Sequence, residues 1–252
     1  MPFMKSEKDH KQPEEILNDY YRQTAKEYDS RHCIPGDEHY RALNYVKKIA
    51  HDHRIKTFLD VGCGTGRGVE FLIKDGFDAI GIDPSQELMR QGITRNPFLK
   101  DRMSCENAYR LPHGNSSFDA VCEFGVLHHV TYPDLVIKEM LRIARKAVFI
   151  SDSNRFGQGT MAARYIKLFL WNSRLWPFVN YIKTKGKGYI LSEGDGLSYS
   201  YSVYDSYKLL SKWAGKIIEI STNGEGGDLN SGSPILRSSH VLLIALKNEL
   251  LL

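Results

Sequence analysis

Leu59-Asp60-Val61 runs straight into Gly62-Cys63-Gly64-Thr65-Gly66. A short apolar run of this kind reads as a strand. Three glycines in five positions form a turn that lets backbone approach closely, and Val69 to Lys74 continues with helical spacing. A strand, a glycine turn and a helix in succession commit the chain to an α/β sheet that holds a ligand at its carboxyl edge. The texture on both sides agrees. Asp78 to Asp83 reads as the next strand, Gln86 to Gly92 as a helix, and Met103 to Cys105 as a weaker strand. Phe118 to Glu123 is strand-like, Pro133 to Ile143 helical and Ala147 to Ser151 strand-like. Strands alternating with helices predict a parallel, doubly wound sheet with right-handed crossovers. After an irregular stretch come a helix around Tyr204 to Ala214 and strands at Lys216 to Ile220 and His240 to Ala245.

The residues around the glycines narrow the ligand. A phosphate loop would carry Gly-Lys-Ser/Thr, and this turn has no Lys. A dinucleotide loop would place a third glycine at the sixth position from Gly62, where Arg67 stands. Asp60, at the mouth of the turn, would repel a pyrophosphate but attract a cationic group. Asp83 ends the second strand, where an acidic residue takes ribose hydroxyls in nucleoside-binding α/β folds. Together these predict a nucleoside with a cationic tail and no phosphate. The plainer alternative is that Asp60 and Asp83 only cap turns or helices.

Composition bounds the rest. With 252 residues, 42% hydrophobic, the chain supports one sizeable α/β core. A net charge of +4 does not point to a nucleic-acid partner. Cys33, Cys63, Cys105 and Cys122 form no C-x-x-C pair, which argues against a zinc ribbon and for free thiols in a reducing compartment. His51-Asp52-His53 has no identifiable third ligand, so no metal is expected. Met1 to Gln12 is polar, without an apolar run, and no stretch reaches the length of a membrane span. A cytoplasmic location is the expectation.

Leu59-Asp60-Val61-Gly62-Cys63-Gly64-Thr65-Gly66 resembles the signature loop of class I S-adenosylmethionine-dependent methyltransferases. Further segments match in the family's order. Gly81-Ile82-Asp83-Pro84-Ser85 is similar to its ribose-binding strand end. Asn107-Ala108, with Leu111-Pro112 and Phe118-Asp119, looks like the adenine-side loop and fourth strand. Val126-Leu127-His128-His129-Val130 resembles the segment after that strand in the small-molecule, type 11-like branch. The resemblance covers about Thr57 to Ser151. It implies a Rossmann-like seven-stranded sheet whose last strand is antiparallel. It also implies that S-adenosylmethionine is the cofactor and S-adenosylhomocysteine its product. Gly62 and Gly64 would line the methionine portion, Asp83 would hold the ribose, and Asn107 and Ala108 would face the adenine. Tyr20 and Tyr28 would lie in an N-terminal cover over the cofactor, the alternative being that they are ordinary packing residues, and Asp60, Cys63, Pro84 and Glu123 would complete its contacts. The family often has Asp where Asn107 stands, and a neutral amide bonds more weakly.

Methyl transfer from a sulfonium is an in-line displacement with a neutral leaving group, so positioning carries much of the work. An alcohol or ammonium acceptor must also lose a proton. His128 and His129, just past the fourth strand, are the candidate bases, the alternative being that they only pack or line the site; Glu123 at the strand end is a second candidate, or a cofactor contact. The layout expected is one domain over residues 1–252, with residues 1–52 as a helical cover and residues 153–207 as a helical, aromatic cap inserted after strand five. That insert holds 12 of the chain's 28 aromatic residues beside many Arg and Lys. A cap there would roof the crevice and shape a pocket for a small-molecule acceptor that is apolar, aromatic or sugar-bearing. Two further readings attach to its basic character. One is RNA or protein methylation, against which no N-P-P-Y-type tetrapeptide follows the fourth strand. The other is contact with a membrane surface, suggested by Met161 to Tyr181, where Trp and Leu alternate with Arg and Lys. A non-catalytic cofactor-binding subunit is the remaining class. The sequence assigns neither the acceptor atom nor an oligomeric state.

Overall fold

The computed structural model describes residues 12–32, 34, 36–223 and 233–248. Most of the polar start, Cys33 and residues 224–232 of the glycine-rich late loop lie outside the described residues.

Two helices open the chain, α1 (Pro13–His32) and α2 (Glu38–Asp52). The central alternation is β1 (Thr57–Val61), α3 (Arg67–Lys74), β2 (Asp78–Asp83), α4 (Gln86–Arg95), β3 (Met103–Cys105), β4 (Phe118–Phe124), α5 (Pro133–Ile143) and β5 (Ala144–Ser153). Next comes the segment with α6 (Met161–Asn172), α7 (Trp176–Lys183) and a hairpin of β6 (Tyr189–Ser192) and β7 (Gly196–Tyr199). The chain then returns through α8 (Tyr207–Trp213), β8 (Lys216–Ser221) and β9 (His240–Leu246).

Seven strands form one sheet in the order β3-β2-β1-β4-β5-β9-β8. β1 pairs in parallel with β2 and β4, while β9 runs antiparallel to both β5 and β8. The last strand is therefore antiparallel, as expected, and it sits inside the sheet rather than at its edge. Strand alternation divides the core into two layers. Phe58, Ala120, Cys122 and Phe149 face the layer containing α2 and α3. Leu59, Val121, Val148 and Ile150 face the layer with α5 and α8. This is the period-two pattern of strands covered on both faces.

The topology reverses between β1 and β4, where sheets of this kind open a crevice beyond the strand ends. The glycine turn after β1 enters that crevice, and Gly62, Gly64 and Gly66 all have positive φ. A close approach fixes the turn against α4: a Cβ on Gly92 would lie 2.1 Å from the Thr65 carbonyl oxygen. The hairpin inside the insert was not foreseen, because Tyr189 to Tyr199 carries little alternation. Gly92→Ala must push α4 away from the turn. It is expected to destabilise the fold by roughly 2–3 kcal/mol, read as a lower midpoint in urea unfolding.

Candidate functional site

A cavity enclosing about 1020 Å³ of empty space, its open mouth included, lies at the carboxyl ends of β1, β2 and β4. Tyr28, Gly62, Gly64, Asp83, Pro84, Asn107, Ala108 and His129 are among its walls. The sequence reading placed all eight at the site. Asp83 is 7% exposed, with both carboxylate oxygens held by backbone. Gly64 N–H donates to Oδ2 at 2.9 Å and Ser85 N–H to Oδ1 at 2.7 Å. Burial raises the Asp83 pKa to about 6, against the pull of those two N–H groups. Each oxygen keeps a lone pair for a further donor.

The glycine turn differs from expectation in one respect. Its N–H groups are spent inside the protein. Gly62 and Cys63 both donate to the Ile82 carbonyl at 2.8 and 2.9 Å, Gly64 to Asp83, and Gly66 to the Cys63 carbonyl at 2.8 Å. The turn therefore does not present a nest of N–H groups for a ligand. It supports Asp83 and offers a smooth wall, with Val126 packed so closely on Gly62 that a Cβ there would meet Cγ2 at 2.4 Å.

Three expected contact residues do not wall this cavity. Asp60 and Cys63 border a smaller one behind the glycine turn, which shares Tyr28, Gly62 and Phe124 with the first. The Asp60 carboxylate packs against the start of α3, where a Cβ on Gly68 would meet Oδ2 at 2.4 Å. Burial lifts its pKa to about 7, opposed by Arg67. Glu123 is fully buried; its Oε2 accepts the Val126 N–H at 2.9 Å, and Oε1 has no partner. Burial, with the charge of Asp152, pushes its pKa well above the carboxylate range. Glu123 thus braces the turn after β4. The Asn107 carbonyl accepts the Tyr109 N–H at 2.8 Å, which shapes the adenine-side loop locally.

The end of α1 is tied down by polar contacts. Thr65 Oγ1 donates to Asp29 Oδ1 at 2.5 Å, Arg95 pairs with Asp29, and Arg67 donates to the His32 carbonyl at 2.8 Å. Tyr28 lies over Gly64. Tyr20 does not wall the cavity; its hydroxyl reaches the Glu193 carbonyl at 3.1 Å, joining α1 to the insert's hairpin. Tyr21, one residue on, is the wall the sequence reading missed, and helical phase alone could have offered it.

The adjacent histidines divide two spaces. His129 walls the first cavity; its Nδ1–H donates to the Leu197 carbonyl at 2.6 Å, and its Nε2 lies 3.5 Å from Asp195 Oδ1. His128 walls a second cavity of about 940 Å³ under the insert, together with Trp176, Asn180, Tyr189, Ser198 and Ser200. Its Nδ1 lies 2.6 Å from Asp152 Oδ1, and its Nε2 lies 3.5 Å from Asp195 Oδ2. Burial alone would lower the His128 pKa, but the two carboxylates raise it to about 10. Asp152 is held down to about 2, because the imidazolium outweighs burial. Burial would likewise raise Asp195, but the two imidazoles keep it below the usual carboxylate range. Asp152 and Asp195 carried no sequence signal as site residues, since only the sheet and the hairpin bring them to the histidines. The two Nε2 atoms and an Asp195 oxygen lie within 4.8 Å of one another, a donor set able to hold a divalent cation. His51 instead contacts Asp75 Oδ2 at 2.8 Å.

The fold and this site define a class I, Rossmann-like methyltransferase architecture. Residues 59–150, from β1 into β5, match a family model described as a methyltransferase domain. A norajmaline N-methyltransferase from Rauvolfia serpentina is 33% identical over 94 residues, covering 35% of this chain and 32% of the relative. A mitochondrial ubiquinone biosynthesis O-methyltransferase from Candida albicans is 36% identical over 107 residues, covering 39% of this chain and 33% of the relative. The chain thus spans about a third of the length of these curated relatives. Magnesium protoporphyrin IX methyltransferase from Synechocystis PCC 6803, solved with bound SAM, superposes with a TM-score of 0.60 at 14% identity, covering 94% of this chain and 98% of that one.

The His128 pair also sets a stability profile. Its folded pKa lies above the unfolded value, so the stabilisation is complete below about pH 6.5 and is lost as pH rises through about 10. His128→Ala leaves Asp152 buried without its partner and is expected to cost about 3–5 kcal/mol. Urea midpoints measured between pH 6 and 10 should fall in the wild type and stay nearly level in the variant.

Proposed function

We propose that the chain binds S-adenosylmethionine in the first cavity and transfers its methyl group to a small-molecule acceptor reached through the second. One observation carries this reading. Glu14, Asp83 and Glu106 line the first cavity, while among the described residues no Lys or Arg does. Such a wall disfavours phosphates and suits a nucleoside with ammonium and sulfonium charges. Asp83 would take the ribose hydroxyls, with Pro84 beside them, and Asn107 and Ala108 would border the adenine. The methionine portion would run past Gly62 and Gly64 toward His129. Asp60, Cys63 and Glu123 would then act through the turns they brace.

Both relatives named above are methyltransferases, one N- and one O-directed. They support methyl transfer to an oxygen or nitrogen. The second cavity favours an acceptor with several polar groups, since Asn180, Thr184, Ser198 and Ser200 surround it with Trp176 as an apolar plate. Residues 153–207 act as its cap and residues 1–52 as the cover of the cofactor. Of the two histidines, His129 is the better base. It borders the cofactor cavity, and its Nε2 faces a single carboxylate, Asp195 at 3.5 Å, whereas His128 is held between two. A base of this kind contributes roughly 10²–10⁴-fold in rate.

Calorimetry with S-adenosylhomocysteine tests the cofactor half. Asp83→Ala is expected to weaken binding by roughly 10²-fold, the loss of hydrogen bonds to a charged group. Wild-type affinity should fall as pH drops below about 6, where the Asp83 carboxyl takes up a proton. Unchanged affinity in both tests would refute the ribose assignment. His129→Ala should leave this affinity intact and lower methyl transfer to the acceptor, scored by release of S-adenosylhomocysteine.

A further inference from the structure

The insert is built inside out. On α6, Met161, Tyr165 and Phe169 follow a spacing of four and are 51–67% exposed, while Leu168 and Trp171 pack toward the core. On α7, Phe178, Tyr181 and Ile182 share one arc and are 61–65% exposed, while Asn180 and Lys183 turn inward to the second cavity. Neither helix contains a fully buried residue. An amphipathic helix of a water-soluble domain turns its apolar stripe to the core and its charges to water. Here the aromatic and aliphatic side chains face outward, and the hairpin continues them with Leu191, 58% exposed. A contiguous apolar surface of this kind marks an interaction site.

Charge identifies the occupant. From Ser153 to Ser192 the chain has seven Lys and Arg and no Asp or Glu. Arg155 pairs with Asp205, but among the described residues none of the other six has a carboxylate partner. Arg174, Lys185 and Lys187 are exposed around the apolar arcs. A second copy of the same surface would set like charge against like charge. An anionic lipid surface supplies both things the patch lacks, an apolar layer for the rings and negative headgroups for the basic rim. No described helix is long and apolar enough to cross a membrane, so the contact would be peripheral.

We propose that the outer face of α6, α7 and β6 docks this protein onto anionic lipid bilayers, with the aromatic side chains in the interface and the lysines and arginines at headgroup level. The second cavity takes its walls from the inner sides of the same elements, so docking sets its mouth beside the bilayer. The docking itself does not rest on the methyl-transfer reading.

Co-flotation of the full chain with vesicles tests it. Vesicles of phosphatidylcholine with phosphatidylglycerol should carry the protein up the gradient, pure phosphatidylcholine vesicles much less, and high salt should weaken the anionic case. Phe169→Ser with Phe178→Ser, and separately Lys185→Glu with Lys187→Glu, should each lower partition by roughly a hundredfold. All four side chains are exposed, and S-adenosylhomocysteine binding by the same variants reports an intact fold and tests the cofactor reading on its own. Absence of flotation with anionic vesicles would overturn the proposal. So would self-association in sedimentation that the Phe169/Phe178 variant abolishes, because the face would then belong to a second copy.

Discussion

Two backbone N–H groups, from Gly64 and Ser85, converge on the carboxylate of Asp83 at 2.9 and 2.7 Å. They join the ends of β1 and β2 through a single buried charge. The glycine turn owes its shape to that charge, since its positive-φ backbone is folded inward to serve Asp83 and Ile82 rather than outward to serve a ligand. The same constraint sets the character of the cavity. With the N–H groups of Gly62, Cys63, Gly64 and Gly66 turned inward, the turn forms no nest for a phosphate, and carboxylates stand in the wall.

The central sheet was legible because its signals are local. Leu59 to Gly66 and Gly81 to Ser85 each carry strand, turn and acidic residue within one short stretch, and period-two alternation placed Phe58 and Leu59 on opposite layers. Asp83, Asn107 and His129 could be found for the same reason, as each sits just past a strand end. Asp60 and Glu123 stand at equally prominent strand ends, yet their side chains turn inward to brace α3 and Val126. Strand-end position gives the edge of the sheet but not the direction of the side chain, which depends on packing by Gly68 and the turn after β4. Asp152 and Asp195 escaped notice because their partner, His128, lies 24 residues from Asp152 and on another element from Asp195. The β6–β7 hairpin was hidden for a related reason, since Ile190 and Leu191 are adjacent and both apolar, which leaves β6 no alternation to read.

The insert and the sheet meet at the histidines. Leu197 in β7 fixes the tautomer of His129, Asp195 in the hairpin turn faces both rings, and Thr131 Oγ1 joins Tyr199 to Glu14 of α1. The floor of the cofactor cavity, its cover and the cap are therefore one hydrogen-bonded unit around His128 and His129. An acceptor entering under the cap would meet that unit on the side away from the adenosine. This arrangement sets the first cavity beside the second with a pair of imidazoles between them.

A crystal structure with S-adenosylhomocysteine tests the central claim most directly. The account places the ribose hydroxyls on Asp83, the adenine beside Asn107 and Ala108, and the sulfur toward His129, with the Gly64–Asp83 hydrogen bond unbroken. A nucleoside bound elsewhere, or one that takes its ribose contacts from another residue while Asp83 keeps only its two backbone donors, would contradict it.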